Sequence, residues 1–101
     1  MRLLAPEEID RQLPTGWKGS QERLHCSYDL PTFRTAIDAV EAVADDAEEM
    51  DHHPDVDIRY RALHFTLSTH SAGGVTQLDI ELAHRIADVC ARLGGTVTPS
   101  V

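Results

Sequence analysis

His52-His53-Pro54, inside the stretch EEMDHHPDVDIRY (Glu48 to Tyr60), is where this sequence offers chemistry most plainly. Imidazole titrates near neutrality, so a histidine can both deliver and accept a proton. Downstream stand His70, in STHSAGG, and Asp79, in LDIELA. Three chemistries fit such a set. Three histidines and a carboxylate can hold a metal, but the spacing lacks HExxH and no strong metal pattern stands out. Nucleophilic catalysis needs a Ser or Cys beside an activating base, and none is recognisable here. General acid–base catalysis fits best.

Taken singly, each residue has a plainer role. Adjacent loop histidines are commonly solvated. Asp79 follows Thr76 by three positions, the spacing of a capping box. Ser68 and Thr69 suit strand-end bonding to loop backbone. Glu48 and Asp51 read as solvated helix-end charges. His25, His64 and His84 fall on the polar phases of their elements and are read as surface residues.

The elements that must position these groups follow from periodicity. Ala5 to Leu13 predicts a short helix, with Pro6 in its first turn and Glu7 and Glu8 at the positive end of its dipole. Trp17-Lys18 predicts a very short strand. Leu24, Cys26, Tyr28 and Leu30 alternate with polar residues, the pattern of a half-buried strand. Phe33, Ile37, Val40, Val43, Ala47 and Met50 recur at helical spacing. That helix must stop by Asp51, because Pro54 disfavours helical geometry at His53.

Val56, Ile58 and Tyr60 alternate on even numbers, and Leu63, Phe65, Leu67 and Thr69 on odd ones. The change of phase places a tight turn or bulge near Arg61-Ala62, between strands 56–60 and 62–69. An antiparallel hairpin of these two strands returns Thr69-His70 to the neighbourhood of Pro54, so the three histidines are predicted to approach one another. A last helix starts near Thr76 and ends at Gly94-Gly95, with a loose tail from Thr96 to Val101. The order predicts an α+β fold: a four-stranded antiparallel sheet with three helices packed on one face. Free sheet edges favour self-association, and Leu63 to Thr69 is the strand expected to mediate it.

Length and charge narrow the rest. The 101 residues fit one domain, 1–101. A formal charge of −8 repels nucleic-acid backbones and anionic membranes. Cys26 and Cys90 show no metal or redox spacing and read as two small core residues. No apolar run reaches the ~18 residues that would span a bilayer, and the N-terminal stretch turns acidic before any signal-peptide core. A cytoplasmic protein is the expectation.

On these residues the sequence resembles the pterin-4a-carbinolamine dehydratases. The pattern is Glu48, three residues, His52-His53-Pro54, five residues, Tyr60, nine residues, His70, eight residues, Asp79. Trp17 after a glycine, the STH before the Gly-Gly loop, and LDIELA extend the likeness over nearly the whole chain. The resemblance implies dehydration of 4a-hydroxytetrahydropterin to quinonoid dihydropterin, which recycles the cofactor of aromatic amino-acid hydroxylases. It implies His52, His53 and His70 as catalytic residues, and Asp51, Pro54, Ser68, Thr69 and Asp79 as substrate contacts. It implies no metal and no cofactor, the pterin being the substrate, and a homodimer or homotetramer. Two positions depart from the family: Val56 stands where an aromatic residue is common, and Ile58 where Asn is frequent. Members of the family also serve as dimerisation partners of transcription factors, so a non-catalytic dimerisation or assembly module is the alternative from another class. A metal-dependent hydrolase is a distant third.

Overall fold

A computed structural model describes residues 1–99. In chain order the elements are α1 (Pro6–Gln12), β1 (Lys18–Gly19), β2 (Leu24–Asp29), α2 (Phe33–Met50), β3 (Asp55–Arg59), β4 (Ala62–Leu67), α3 (Gln77–Arg92) and β5 (Thr96–Val97), with a single 3-10 turn at His70–Ala72. This is the α+β architecture that the alternating and helical periods predict. The sheet is antiparallel in the order β1-β2-β4-β3, and β5 joins it against the far end of β2.

The phase change between β3 and β4 is resolved by a two-residue turn. Arg59 pairs with Ala62, leaving Tyr60 and Arg61 as the turn, and Tyr60 adopts φ 54°. A first turn residue at positive φ matches the twist of a tight hairpin. The register then sets Val56 opposite Phe65 and Ile58 opposite Leu63. Even-numbered residues of β3 therefore share a face with odd-numbered residues of β4.

That face is the inner one. Leu24, Cys26 and Tyr28 of β2 join Leu63, Phe65 and Leu67 of β4, all buried. Ile9 of α1, the small residues Ala36, Ala39 and Val43 of α2, and Ile80, Ala83, Ile86 and Val89 of α3 close over them in one cluster. Tyr28 meets Phe65 edge-on at 6.3 Å and accepts a 2.8 Å hydrogen bond from Trp17 Nε1. β3 runs past the cover of the helices, so Val56 and Ile58 are 37% and 38% exposed.

Two expectations are corrected. The segment from Thr96 is not a loose tail over the described residues: Thr96 and Val97 pair with Asp29 and Tyr28, and the Thr98 amide donates to the Ser27 carbonyl. A two-residue pairing is too short for an alternating pattern to announce it. Positions 100–101 lie outside the described residues. Nor can residues 63–69 supply a free edge, because β4 is hydrogen-bonded to β2 on one side and β3 on the other. The long free edge belongs to β3.

The helix ends decide where the histidines go. α2 closes with Asp51 in the left-handed region, φ 49°. The Asp51 amide donates to Glu48 O and the His52 amide to Ala47 O, at 3.2 and 3.0 Å. That pair of bonds is a Schellman closure, with aspartate in the place glycine usually takes. α3 ends the same way at Gly94 (φ 81°), as its Gly-Gly predicts, with Gly95 N bonded to Cys90 O at 2.7 Å.

Candidate active site

The reversal at Asp51 makes the two adjacent histidines diverge. His52 turns inward and is only 9% exposed. Its Nε2 lies 2.6 Å from Asp79 Oδ1, an atom of a wholly buried carboxylate in the first turn of α3. His53 turns outward, its side chain 56% exposed, with Nε2 2.6 Å from Glu48 Oε2 one helical turn back on α2.

Asp79 is partnered on both oxygens. Oδ2 accepts from the Thr69 hydroxyl at 2.8 Å and from the Thr76 amide at 2.9 Å. The capping-box role predicted for Asp79 is present, and the second oxygen still faces His52. Thr76 Oγ1 stands 2.8 Å from Thr69 Oγ1. A hydroxyl has one proton to give. Thr69 gives its proton to Asp79, so Thr76 must donate to Thr69, and the chain runs in one direction. A carboxylate only accepts, so the proton of the His52–Asp79 bond sits on Nε2. Nδ1 is then the nitrogen of His52 left for proton exchange. This buried set ties the end of α2, the end of β4 and the start of α3 together, and His52 Nε2, both Asp79 oxygens and both threonine hydroxyls in it have partners, as buried polar groups require.

His70 follows Thr69 directly and is exposed. It sits in the 3-10 turn of a loop whose ends are pinned, Thr69 N to Gly74 O at 2.9 Å and Gly74 N to Thr69 O at 3.3 Å. Gly74 is needed there: a Cβ would lie 2.4 Å from the Gln21 carbonyl oxygen.

His53 and His70 line different hollows. His53 borders an apolar groove of about 440 Å³ with Val43, Ala47, Pro54 and Val56, between α2 and β3. His70 borders a polar hollow of about 450 Å³ with Arg23, Asp55, Thr66 and Ser68. Asp55 and Val56 are consecutive in β3 and point to opposite faces, so the hollows lie on the two sides of that strand, and His53 and His70 do not share one of these cavities. The register Asp55 to Thr66 sends the chain before β3, which carries His52 and His53, and the chain after β4, which carries His70, out of the same end of the hairpin.

The remaining predicted residues take defined places. Asp51 is the left-handed cap of α2 and is exposed. Pro54 lines the apolar groove. Ser68 donates to the Glu22 carbonyl at 3.0 Å, the strand-end bonding expected of it, while Thr69 bonds side chains instead. Of the other histidines, His25 is exposed, His84 bonds the Gln12 carbonyl, and His64 is half-buried beside Ser27. The hydroxyl of Thr76 was not among the predicted site residues; its signal was the three-residue spacing to Asp79. Among the described residues no three histidine, cysteine or carboxylate side chains form a metal-ligand set, and no helix is long and apolar enough to cross a membrane.

Comparison with known proteins gives the family. The model of the family described as pterin 4 alpha carbinolamine dehydratase matches residues 2–89. Relatives provisionally named pterin-4-alpha-carbinolamine dehydratases occur in Mycolicibacterium smegmatis, 47% identical over 88 residues, and Mycobacterium avium, 48% identical over 88 residues; in both the match covers 85% of this chain and 94% of the relative. A crystal structure of a transcriptional coactivator/pterin dehydratase from Brucella melitensis superposes with a TM-score of 0.76 at 35% identity, covering 82% of this chain and 89% of that one. A pterin dehydratase-like protein identified as a RuBisCO assembly factor in the alpha-carboxysome shares the fold alone, at TM-score 0.60 and 16% identity over 72% of this chain and 84% of its own. With its histidine set, its hairpin and its helical layer in place, the chain belongs to the pterin 4 alpha carbinolamine dehydratase family.

Proposed function

We propose that this protein dehydrates 4a-hydroxytetrahydropterin to quinonoid dihydropterin by histidine acid–base catalysis, and so returns a spent pterin cofactor to use. The observation that carries the reading is the buried His52–Asp79 pair, 2.6 Å apart, at the mouth of the β3–β4 hairpin. The reaction breaks the C4a–oxygen bond. One proton must reach the departing hydroxyl, which leaves as water, and one must leave a ring nitrogen as the new double bond forms. Asp79 holds the imidazole in one tautomer and one orientation, which is what a proton carrier needs. His52, through Nδ1, is the leading acid–base group, and His70 is its partner.

A flat ring lying across the hairpin end at Pro54-Asp55 reaches toward the apolar groove on one side and the hollow of His70 on the other. His53, held by Glu48, positions the pterin or its 4a-hydroxyl, with Asp51, Pro54, Ser68 and Thr69 as further contacts. The chemistry uses imidazoles and draws on no metal or added cofactor; the pterin is the substrate. We further propose that two copies pair through the free edge of β3. The test of the activity is turnover of chemically generated carbinolamine against the uncatalysed rate in buffer, with His52→Ala as the variant expected to fold and to lose activity.

A further inference from the structure

The polar hollow beside His70 carries an acid that no other part of the chain uses. Asp55, the first residue of β3, is exposed and lines that hollow. Among the described residues its carboxylate has neither a hydrogen bond nor an ion pair. Its neighbours there are engaged with one another: Glu22 lies 3.6 Å from Arg23 Nη2, and the Ser68 hydroxyl donates to the Glu22 carbonyl. Sheet register sets Thr66 directly across from Asp55, and the Cβ atoms of such cross-strand partners lie roughly 4.5–5.5 Å apart. A free carboxylate and a hydroxyl therefore stand side by side in the hollow that His70 borders.

An ionised carboxylate only accepts, and its two oxygens match a rigid fork of two N–H groups. The pterin ring has one such fork. Its pyrimidine end carries N3–H beside the 2-amino group, the same donor arrangement as one side of a guanidinium. At about 450 Å³ the hollow falls in the range of small-ligand pockets. The other end of the bicycle bears the C6 substituent, and the hollow on the opposite side of β3 is the apolar groove. Asp55 directly follows Pro54, which lines that groove. A ring with its polar head at Asp55 thus turns its C6 end toward the groove, with C4a between the two.

We infer that Asp55 reads the 2-amino-pyrimidinone head of the substrate, accepting from N3–H and from the 2-amino group, and so selects pterins over rings with an oxo group at C2. The assignment rests on the dehydratase reading and adds to it a specificity residue that takes no part in proton transfer. The experiment is an equilibrium titration of the full chain at neutral pH with dihydropterin and with dihydrolumazine, in which an oxo group replaces the 2-amino group. The wild type is expected to prefer dihydropterin by about tenfold or more. Asp55→Asn keeps one acceptor for N3–H and puts an N–H donor where the second oxygen was. It should weaken dihydropterin by about tenfold and strengthen dihydrolumazine, a reversal that a merely structural or charge effect would not produce. In turnover it should raise KM at similar kcat. Equal binding of the two rings by the wild type, or an Asp55→Asn variant that moves both affinities by one factor or leaves KM unchanged, would overturn the assignment; turnover of carbinolamine by the wild type would then leave the dehydratase reading standing. A wild type that binds neither ring and gives no turnover would overturn both.

Discussion

His52 and Asp79, 27 positions apart in sequence, meet at 2.6 Å in the interior, and the Asp79 oxygen that His52 does not use is filled by Thr69 and Thr76. The proposed catalytic role and the structural role therefore share one carboxylate, so a single substitution is expected to touch both.

Asp79→Asn keeps the shape of the side chain but offers one accepting oxygen in place of two. Either His52 or the Thr69–Thr76 pair loses its acceptor. A buried donor left unsatisfied costs about 1–3 kcal/mol, which for a domain near 100 residues lowers Tm by roughly 5–20 °C. Turnover should fall by about 10²-fold, because His52 loses the partner that fixes its tautomer and orientation. Thermal unfolding and steady-state kinetics on the same preparation check both. A folded Asp79→Asn with full turnover would remove Asp79 from the mechanism.

Val56 lines the apolar groove beside His53 and Pro54 and offers no ring face to a flat heterocycle. An aromatic partner adds roughly 0.5–1.5 kcal/mol beyond area burial. Val56→Trp is expected to lower KM for the pterin about two- to tenfold at similar kcat. An unchanged or higher KM in a folded variant would show that this wall of the groove does not limit binding.

The free edge of β3 reads Asp55-Val56-Asp57-Ile58-Arg59. Antiparallel pairing of two copies about Ile58 sets Asp57 of each opposite Arg59 of the other and keeps both helical layers on one side. Each exposed ion pair is worth about 0.2–1 kcal/mol. Sedimentation should find a dimer at micromolar concentration. Arg59→Asp should weaken it by about tenfold, and combining it with Asp57→Arg should restore it. A monomeric wild type would contradict the edge pairing.

Both thiols are free and buried. Burial, with Cys26 nearby, pushes the Cys90 thiol up to about 12, and burial also raises Cys26. The thiolate is the reactive form, so a disulfide-exchange reagent at pH 8 should titrate neither cysteine quickly in the folded protein and both in guanidinium. Rapid stoichiometric labelling of the native chain would contradict this.

Much of the fold was legible because its signals are local. Alternation in Leu24 to Tyr28 and the even-to-odd switch after Tyr60 announce strands and a tight turn, and Gly94-Gly95 announces a helix end. The candidate site could be read from the sequence as a list of residues but not as a geometry. Nothing in HHP says that His52 goes inward and His53 outward; that follows from Asp51 taking a left-handed conformation more often seen in glycine. The capping spacing of Thr76 and Asp79 was readable, while the contact of Asp79 with His52 depends on how α2 and α3 pack. The choice of free edge likewise depends on strand order, which periodicity does not encode: β4 carries the stronger alternation yet lies inside the sheet.

The most direct test of the account is the rate at which this protein dehydrates chemically generated 4a-hydroxytetrahydropterin, compared with buffer and with the His52→Ala variant. The account predicts clear acceleration by the wild type and a loss of about 10²-fold or more in kcat for His52→Ala, with its thermal unfolding still cooperative. A wild type that leaves the buffer rate unchanged, or a His52→Ala variant as fast as the wild type, would contradict it.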